Sequence, residues 1–372
     1  MKVLIFSMTC GQGHNMIAAS IAQSLKKYNV KSKIAQTFGY DEKRVALENK
    51  KFLWACKHIP HAYDFVWDKL RKKNHFTDKL PGYVKNCLPH FTKEIENYNP
   101  DIILCTHYYA SSVISYMKKQ HILKDNITTY TILTDYCVHP YWEHSNKVDY
   151  IIQALDNTTE DLLFKGFTKS QIITVGMPIR NEFYLEYSQI DERKNLNIPN
   201  KKTILIVGGG GGLGNTLKLL KSILSKNLNI TIIIVNGNNI KNYNKISSYI
   251  TKHKIKNVIN LGFINNMVNY MRASDIIITR CGSSCLTESI VLQKPFIMRE
   301  KMIINEKLNK ELFLNLNCGI GLNKISDIGN KVEYLIKNPD IYNNMIKNIR
   351  KIKQSYSADK IASIMIDNKK DE

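Results

Sequence analysis

Short apolar runs alternate with longer stretches of helical character along this chain. In the first half the runs are KVLIF, IILCT, TYTILTD, YIIQA and IITVG, and in the second half they are TILIVGGG, ITIIIVNG, VINLGF, DIIITR and PFIMRE. Runs rich in β-branched residues that are separated by helices are typical of parallel sheets covered by helices on both faces. The pattern therefore predicts an α/β fold.

A polar stretch without sustained periodicity, EFYLEYSQIDERKNLNIPNKK, divides the apolar runs into two groups. A chain of 372 residues is long enough for two domains with their own cores. Open α/β sheets bind ligands beyond the carboxyl ends of their strands, so we expect a site in a cleft between the domains. We predict an N-terminal domain, a linker, a C-terminal domain, and a C-terminal helix and tail that could return to the N-terminal domain, at residues 1–182, 183–202, 203–350 and 351–372.

The charge of the chain indicates an anionic partner. Its 53 Lys and Arg residues against 32 Asp and Glu residues give a formal net charge of +21. Nucleic acid, an acidic membrane surface and phosphorylated substrates all fit this excess. A Lys/Asn/Ile-rich composition across a whole proteome would produce the same excess without any function, and this alternative stays open.

Other features of the composition favour a cytoplasmic location. No apolar stretch approaches the ~20 residues that span a bilayer, and MKVLIF is too short for the core of a signal peptide. The eight cysteines are scattered without a CxxC pair, which is typical of reduced thiols.

The segment HAYDFVWDKLRKK combines an aromatic helical face with a basic end. Tyr63, Val66, Trp67 and Leu70 share one face by their spacing, and basic residues cluster up to Lys73. Aromatic rings beside lysines suit a membrane interface, where rings lie at headgroup depth. The same rings could equally be ordinary core residues, and the sequence leaves the two interpretations open.

A first glycine loop, CGQGH, follows the strand VLIF. Gly11 and Gly13 allow a tight backbone turn, and Ile17, Ile21 and Leu25 then recur at helical spacing. His14 is therefore placed at a helix N-terminus, where a side chain of near-neutral pKa can take a proton from an alcohol. A histidine that only donates or accepts a hydrogen bond is the alternative. Met16 stands where a dinucleotide fingerprint has its third glycine, so a Rossmann dehydrogenase is not supported.

Two further loops have the composition of phosphate-binding segments. VGGGGGLGN lacks the lysine of a P-loop, which disfavours an ATPase, but its main-chain amides could still hold a phosphate. In RCGSSCLTES, the amides and hydroxyls of Gly282 to Ser284 follow a strand, and Arg280 adds positive charge. Glu288, further into the helix, is suited to two sugar hydroxyls, so the loop fits a nucleoside diphosphate. An acidic residue favoured by the helix dipole explains Glu288 equally well.

Metal binding is not indicated by the cysteine and histidine spacing. Neither the Cys281 and Cys285 pair nor the group Cys137, His139 and His144 matches a four-ligand zinc pattern. We predict no metal and no other cofactor.

Five motifs, in order, resemble those of one family. GQGH resembles its glycine-rich loop ending in histidine, LTDYCVHPYWEH is similar to TDF-x-x-H-x-x-W-x-H, and VGMPIRNEF is similar to G-I-P-[VI]-R-x-x-F. RCGSSCLTES stands where members have Pro-Gly-Gly or Ser-Gly followed by Thr and Ser/Thr-Glu, and NEKLN stands where they have Gln-Glu-x-x-Asn or Gln-Gln-x-x-Asn. Over nearly its whole length the chain resembles the processive diacylglycerol glucosyltransferase and monogalactosyldiacylglycerol synthase family, relatives of the lipid II GlcNAc transferase. The resemblance implies the GT-B architecture, two Rossmann-like domains whose parallel sheets face a central cleft.

The resemblance also implies roles for residues at matching positions. His14 would be the base or would position the acceptor hydroxyl, and Glu288 would hold the ribose. Donor-sugar hydroxyls would be met by Asn305, Glu306 and Asn309. The diphosphate of UDP would be bound by Arg180, Gly209, Gly210, Gly211, Gly212, Arg280, Gly282, Ser283 and Ser284, and the acceptor side would be shaped by Gly13, Asp135, His139, Trp142 and His144.

The implied enzyme is an inverting UDP-sugar-dependent hexosyltransferase that needs no divalent metal. We expect a peripheral protein at the cytoplasmic face of the membrane that moves glucose or galactose to diacylglycerol or a glycolipid. The chain departs from the family at Cys281-Gly282-Ser283, where lipid synthases have Pro-Gly-Gly, and at Asn305, which replaces a glutamine.

The sequence leaves three alternative functions open. They are GlcNAc transfer to a polyprenyl-linked or other acceptor, UDP-GlcNAc 2-epimerisation on the same architecture, and binding of nucleic acid by a basic surface. The last is disfavoured, because the chain lacks any recognised nucleic-acid-binding signature.

Overall fold

The computed structural model describes most of the chain, which folds into two compact units. The described residues are 1–9, 13–39, 47, 64, 65, 67, 69, 70, 82–208, 215–299, 303–353 and 357–368. The first unit comprises Met1–Arg180, Ile303–Asn305 and Gln354–Glu372, and the second comprises Asn181–Met302 and Glu306–Lys353.

The first unit is built on a parallel sheet. Its described strands are β1 (Lys2–Ser7), β2 (Lys31–Gln36), β3 (Ile102–Cys105), β4 (Thr128–Ile132), β5 (Tyr150–Gln153) and β6 (Ile172–Thr174), in the order β2-β1-β3-β4-β5-β6. Its helices, within the same described part, are α1 (Gly13–Lys27), α2 (Gly82–Tyr98), α3 (Tyr108–Lys119), α4 (Thr159–Phe164) and, near the C-terminus, α13 (Ser357–Asp367). The strands β1, β3 and β4 are completely buried apart from Lys2, which explains their continuous apolar sequences.

Helix α1 shows how the sequence pattern places an element. Ile17, Ile21 and Leu25 are buried, as their helical spacing predicts. Helix α13 packs on α1, and Lys27 Nζ lies 2.9 Å from a carboxylate oxygen of Asp359 at this contact. The last helix of the chain therefore belongs to the first unit.

The second unit repeats the same design. Its described strands are β7 (Thr203–Val207), β8 (Thr231–Val235), β9 (Val258–Leu261), β10 (Ile276–Thr279), β11 (Phe296–Met298) and β12 (Gly319–Gly321), all parallel, in the order β12-β11-β10-β7-β8-β9. Among the described residues its helices are α5 (Gln189–Asn195), α6 (Thr216–Leu224), α7 (Ile240–Lys252), α8 (Met267–Ala273), α9 (Ser283–Val291), α10 (Ile304–Asn315), α11 (Ile328–Lys337) and α12 (Pro339–Ile352). The residues of α10 from Glu306 onward belong to this unit. The α/β prediction is confirmed for both units.

The strand order of each sheet reverses at one point. In the first sheet β1 pairs with β2 on one side and with β3 on the other, and in the second β7 pairs with β8 and with β10. The loops after two such strands diverge to opposite faces of the sheet and leave a crevice at their carboxyl ends. Ligands of this fold class bind in that crevice. We therefore expect the functional residues in the loops after β1, β3, β7 and β10.

Two edge strands were not predicted from the sequence. Strand β2 has the polar sequence KSKIAQ, and only Ala35 is fully buried in it. Strand β12 is the triplet GIG, which has weak strand propensity. A Cβ at Gly319 would lie 2.4 Å from the Phe296 carbonyl oxygen of β11, so glycine is required for the close approach of these two strands.

The predicted linker residues 183–202 contain α5, which is anchored in the second unit by buried ion pairs. Arg193 Nη2 lies 2.6 Å from Asp275 Oδ2, and Arg272 Nη1 lies 3.1 Å from Glu192 Oε1. All four side chains are at most one-tenth exposed. These polar residues look like linker residues in the sequence because their partners are far away along the chain.

No helix in the described part of the chain is long and apolar enough to cross a membrane.

Candidate active site

His14 lies at the strand-order reversal of the first sheet. It is the second residue of α1, which follows β1, and its ring approaches the residues that follow β3 and β4. The Nδ1 atom lies 2.7 Å from the Thr106 carbonyl oxygen and 3.1 Å from the Thr134 hydroxyl. Residues from three adjacent strand ends thus fix one imidazole.

These contacts determine which nitrogen of His14 carries the proton. A carbonyl oxygen only accepts hydrogen bonds, so Nδ1 must donate to Thr106. The neutral ring then has its lone pair on Nε2. His14 is therefore arranged as a proton acceptor at Nε2, with the Thr106 carbonyl in the orienting role that a carboxylate has in a catalytic triad.

Two neighbouring histidines have the opposite tautomer. His107 and His139 each begin a helical segment, and their Nδ1 atoms accept from the backbone amides of Tyr109 at 3.1 Å and Tyr141 at 3.2 Å. An accepting Nδ1 leaves the proton on Nε2, so both neutral rings present an N–H donor. The site thus combines one nitrogen acceptor with two nitrogen donors.

The histidines are linked by ring contacts. The His14 and His107 rings meet edge to face with centroids 4.7 Å apart. Tyr108 lies 4.1 Å from His107 and is stacked on His139 at 4.5 Å. Trp67, which is buried, closes the row with an edge contact to His139 at 4.2 Å. The row His14, His107, Tyr108, His139 and Trp67 is hereafter the ring cluster.

Burial keeps the histidines of the ring cluster neutral. It lowers the pKa of His14 to about 4, although the hydrogen bond to Thr106 opposes the change. Burial lowers the pKa of His139 to about 3, with a further contribution from the charge of Lys165. The pKa of His107 is held well below its usual range by burial and by the neighbouring His14 and His139. All three rings are uncharged near pH 7, as the tautomer assignment requires.

The other predicted acceptor-side residues have different surroundings. Gly13 is the first residue of α1. Asp135 follows Thr134, and its Oδ2 accepts from the side-chain amide of Asn305 at 2.9 Å within the first unit. Trp142 is packed in the core. His144 Nε2 lies 3.7 Å from Glu143 Oε1, and burial, together with Lys165, lowers its pKa.

The aromatic segment predicted for the membrane is only partly described. Tyr63, Val66 and residues 71–73 lie outside the described residues. Of the described ones, Trp67 is 4% exposed and Phe65 is 68% exposed. Trp67 therefore packs inside the first unit, while the membrane contact of the segment as a whole stays a prediction.

The second unit carries the predicted phosphate loop at its own strand-order reversal. After β10, Gly282 forms the N-cap of α9 with an extended backbone, and Ser283 begins the helix. The first amides of a helix have no partner inside it and point along its axis, where they attract an anion. A Cβ at Gly282 would meet no described atom within 4 Å, and its φ of −64° suits any residue. Within the described chain, neither conformation nor packing requires this glycine, which is the pattern expected where a ligand approaches the backbone.

Charged and polar side chains surround this loop. Glu288, in the second turn of α9, is buried. Arg280 Nη2 lies 3.3 Å from Glu306 Oε2, so two residues predicted to bind the donor contact each other. Asn309 is fully buried and donates from Nδ2 to the Cys281 carbonyl oxygen at 3.0 Å. Burial raises the pKa of the Cys285 thiol to about 12, so it stays protonated.

Two other predicted donor-binding elements are differently placed. Arg180 is the last residue of the first unit's long segment, and the preceding Ile179 carbonyl accepts from the Ser20 hydroxyl of α1 at 2.6 Å. Gly209, Gly210, Gly211 and Gly212 lie outside the described residues.

Sequence reasoning missed His107 and the Thr106 carbonyl. The available signal was the stretch THYYA directly after the apolar run IILC, at the end of a strand next to β1. Its polar and aromatic residues lie at the same sheet edge as His14. No group of three or more His, Cys, Asp or Glu side chains that could hold a metal ion occurs in the described part of the chain.

Comparison with known proteins supports the resemblance. Residues 14–179 match the family described as monogalactosyldiacylglycerol (MGDG) synthase, and residues 203–360 match the glycosyltransferase family 28 C-terminal domain. A processive diacylglycerol beta-glucosyltransferase of Bacillus pumilus (strain SAFR-032) is 25% identical over 98% of this chain and 94% of its own length. Each part of the chain thus matches a glycosyltransferase family, and the chain is a glycosyltransferase. The resemblance inferred from five motifs is thereby confirmed.

Solved structures show the fold of this glycosyltransferase. The crystal structure of MurG from Acinetobacter baumannii is similar with a TM-score of 0.67 at 15% identity, over 98% of this chain and 99% of that one. A UDP-GlcNAc 2-epimerase from Neisseria meningitidis, bound to UDP-GlcNAc, has a TM-score of 0.64 at 17% identity, over 98% and 99% of the chains. The predicted GT-B fold class is confirmed.

Proposed function

We propose that this glycosyltransferase moves a hexose, glucose or galactose, from a UDP-sugar to diacylglycerol or a glycolipid, with inversion at the anomeric carbon. Two similar proteins support the two substrates. The Bacillus pumilus relative is a diacylglycerol beta-glucosyltransferase, and the similar epimerase structure contains a UDP-sugar.

The observation that carries the proposal is that the first unit has a neutral, oriented histidine and the second unit has an anion-attracting helix start, each at the point where the strand order of its own sheet reverses. The loop before α9 would offer backbone donors and Arg280 to a diphosphate, and Glu288, further along the same helix, would hold the ribose. His14 offers a lone pair at Nε2 for the proton of an acceptor hydroxyl. A nucleotide-sugar and an alcohol are the substrates that use both sets of groups.

In the proposed step the acceptor hydroxyl attacks the anomeric carbon from the side opposite the diphosphate. A new carbon–oxygen bond forms, and the bond between the anomeric carbon and the diphosphate oxygen breaks. The hydroxyl proton passes to His14 Nε2, and the electron pair of the broken bond leaves with UDP. Backbone amides, Arg280 and the helix dipole stabilise the charge that grows on the diphosphate.

The low pKa of free His14 is compatible with this role. A pKa of about 4 keeps the His14 ring unprotonated near pH 7, so its Nε2 lone pair is available to the hydroxyl proton.

The membrane face is the second part of the proposal. A net charge of +21 favours binding to anionic lipid, where a diacylglycerol acceptor would be found. We propose that the protein acts as a peripheral enzyme on the cytoplasmic side.

A UDP-release assay tests the proposal directly. Purified protein is given UDP-glucose, UDP-galactose or UDP-GlcNAc, with and without diacylglycerol in anionic vesicles, alongside His14→Ala and Glu288→Ala. We expect one hexose donor to turn over only with lipid, and both variants to lose activity. Turnover of UDP-GlcNAc alone, or conversion of it to its 2-epimer, would contradict the proposal and support the corresponding alternative.

A further inference from the structure

One side chain of α10, Asn309, reaches the main chain that precedes α9. It lies in the second turn of α10, is fully buried, and donates from Nδ2 to the Cys281 carbonyl oxygen at 3.0 Å. Cys281 lies between β10 and α9, directly before the Gly282 N-cap. The Asn309 amide therefore contacts the backbone of the phosphate loop.

Cys281 has a backbone conformation that needs support. Its φ is +66°, in the left-handed region that costs conformational free energy for any residue except glycine. Its side chain is completely buried. A residue keeps such a conformation only when its surroundings fix it, and the Asn309 amide is a contact that does so.

The helix that supplies the contact is itself held in place. Phe313 packs against Phe296 of β11 with ring centroids 5.6 Å apart and is fully buried. Lys310 Nζ donates to the Leu322 carbonyl oxygen at 2.7 Å, just after β12. Arg280, in the loop itself, pairs with Glu306 of the same helix at 3.3 Å. Helix α10 thus links the loop to the two outer strands of the second sheet.

We infer that Asn309 is a positioning residue, whose Nδ2 holds residues 280–284 in the shape that receives the diphosphate of the donor. This inference rests on the proposed function, because it takes UDP as the leaving group. It goes beyond the sugar contact that the family resemblance implies for Asn309.

The two roles predict different behaviour towards UDP, which contains the diphosphate but no hexose. We would measure UDP binding by calorimetry for the wild type, Asn309→Ala and Asn315→Ala. Asn315 is the exposed last residue of the same helix and serves as the matched control. A positioning role predicts a rise in the UDP dissociation constant of about tenfold for Asn309→Ala and less than about twofold for the control. An unchanged dissociation constant for UDP, with a raised KM for the UDP-sugar, would overturn the inference.

A second measurement does not depend on UDP. Hydrogen exchange of peptides covering residues 280–286, in the protein without nucleotide, should be faster in Asn309→Ala than in the wild type and in Asn315→Ala. Equal exchange rates in the three proteins would overturn the positioning role. If the wild type does not bind UDP, the proposed donor is wrong, and the exchange rates alone decide the role of Asn309. Asn309→Ser, which keeps a donor, replaces the alanine variant if circular dichroism shows that the alanine variant is unfolded, and intermediate exchange is then expected.

Discussion

The two sheets of this protein have the same topology but present different chemistry at equivalent places. Where the strand order of the first sheet reverses, loops after three different strands supply His14, His107 and His139, whose neutral rings lie in one row. Where the strand order of the second sheet reverses, one continuous segment from Arg280 to Glu288 supplies a helix start, a cation and a carboxylate. The first arrangement suits transfer of a proton, and the second suits binding of an anion.

The difference shows how one fold can support two tasks. Burial keeps a histidine neutral, and a hydrogen bond to the backbone decides which of its nitrogens accepts and which donates. Backbone amides at a helix start attract an anion without any special side chain, so that task tolerates sequence changes such as Ser283 in place of the family's glycine. We therefore expect substitutions in the ring cluster to affect the rate of reaction, and substitutions around α9 to affect donor binding.

The largest effect is expected for His14→Ala. Loss of the base should lower kcat by about 10²- to 10⁴-fold, because positioned proton transfer contributes a factor of this size. The dissociation constant of UDP should stay within about twofold, since the variant leaves the second unit unchanged. Initial rates of UDP release and calorimetric titration with UDP measure the two quantities.

The exposed His253 provides a control for this substitution. His253→Ala should keep the wild-type kcat. A His14→Ala variant that binds UDP ten times more weakly at an unchanged kcat would remove the distinction between the two regions.

A smaller effect, on binding alone, is expected for Glu288→Gln. If the carboxylate holds the ribose hydroxyls, the variant should bind UDP about ten- to a hundredfold more weakly, as for loss of a hydrogen bond to a charged group. In the wild type, 2′-deoxy-UDP should bind more weakly than UDP, and in the variant this preference should disappear. A preference of equal size in both proteins would show that Glu288 does not contact the ribose.

The smallest effect is a dependence of stability on pH that originates in the ring cluster. The folded pKa values of His14, about 4, and His139, about 3, lie below the unfolded value of about 6.5. Between these values the unfolded chain binds protons that the folded chain does not, so stability is full above about pH 6.5 and falls as the pH drops towards 4. The melting temperature should fall by roughly 5 °C per pH unit in this window.

One substitution tests the origin of this slope. His139→Asn keeps an acceptor for the Tyr141 amide but removes one of the two titrating rings, so it should lower the slope of melting temperature against pH by about half. His253→Asn should leave the slope unchanged. A slope that is the same in all three proteins would show that His139 does not contribute to it.

Sequence alone was sufficient for features that are local in the chain. The apolar runs that became the inner strands, the helical spacing of Ile17, Ile21 and Leu25, and the strand–loop–helix order around Gly282 are all written in consecutive residues. The edge strands β2 and β12 escaped prediction, because an edge strand is not buried enough to require apolar residues and Gly319 is fixed by its neighbour Phe296. The ion-paired helix α5 escaped for the same kind of reason, since Arg193 finds Asp275 only after folding.

The candidate site divides along the same line. The sequence by itself determined the two α/β units, the position of His14 at a helix start and the strand–loop–helix segment from Arg280 to Glu288, because each depends on neighbours a few residues away. Only the tertiary structure decided that His107 joins His14, that the Thr106 carbonyl sets its tautomer, and that Asn309 contacts the Cys281 backbone. The order of strands in a sheet brings these groups together, and that order depends on packing between residues far apart in the chain.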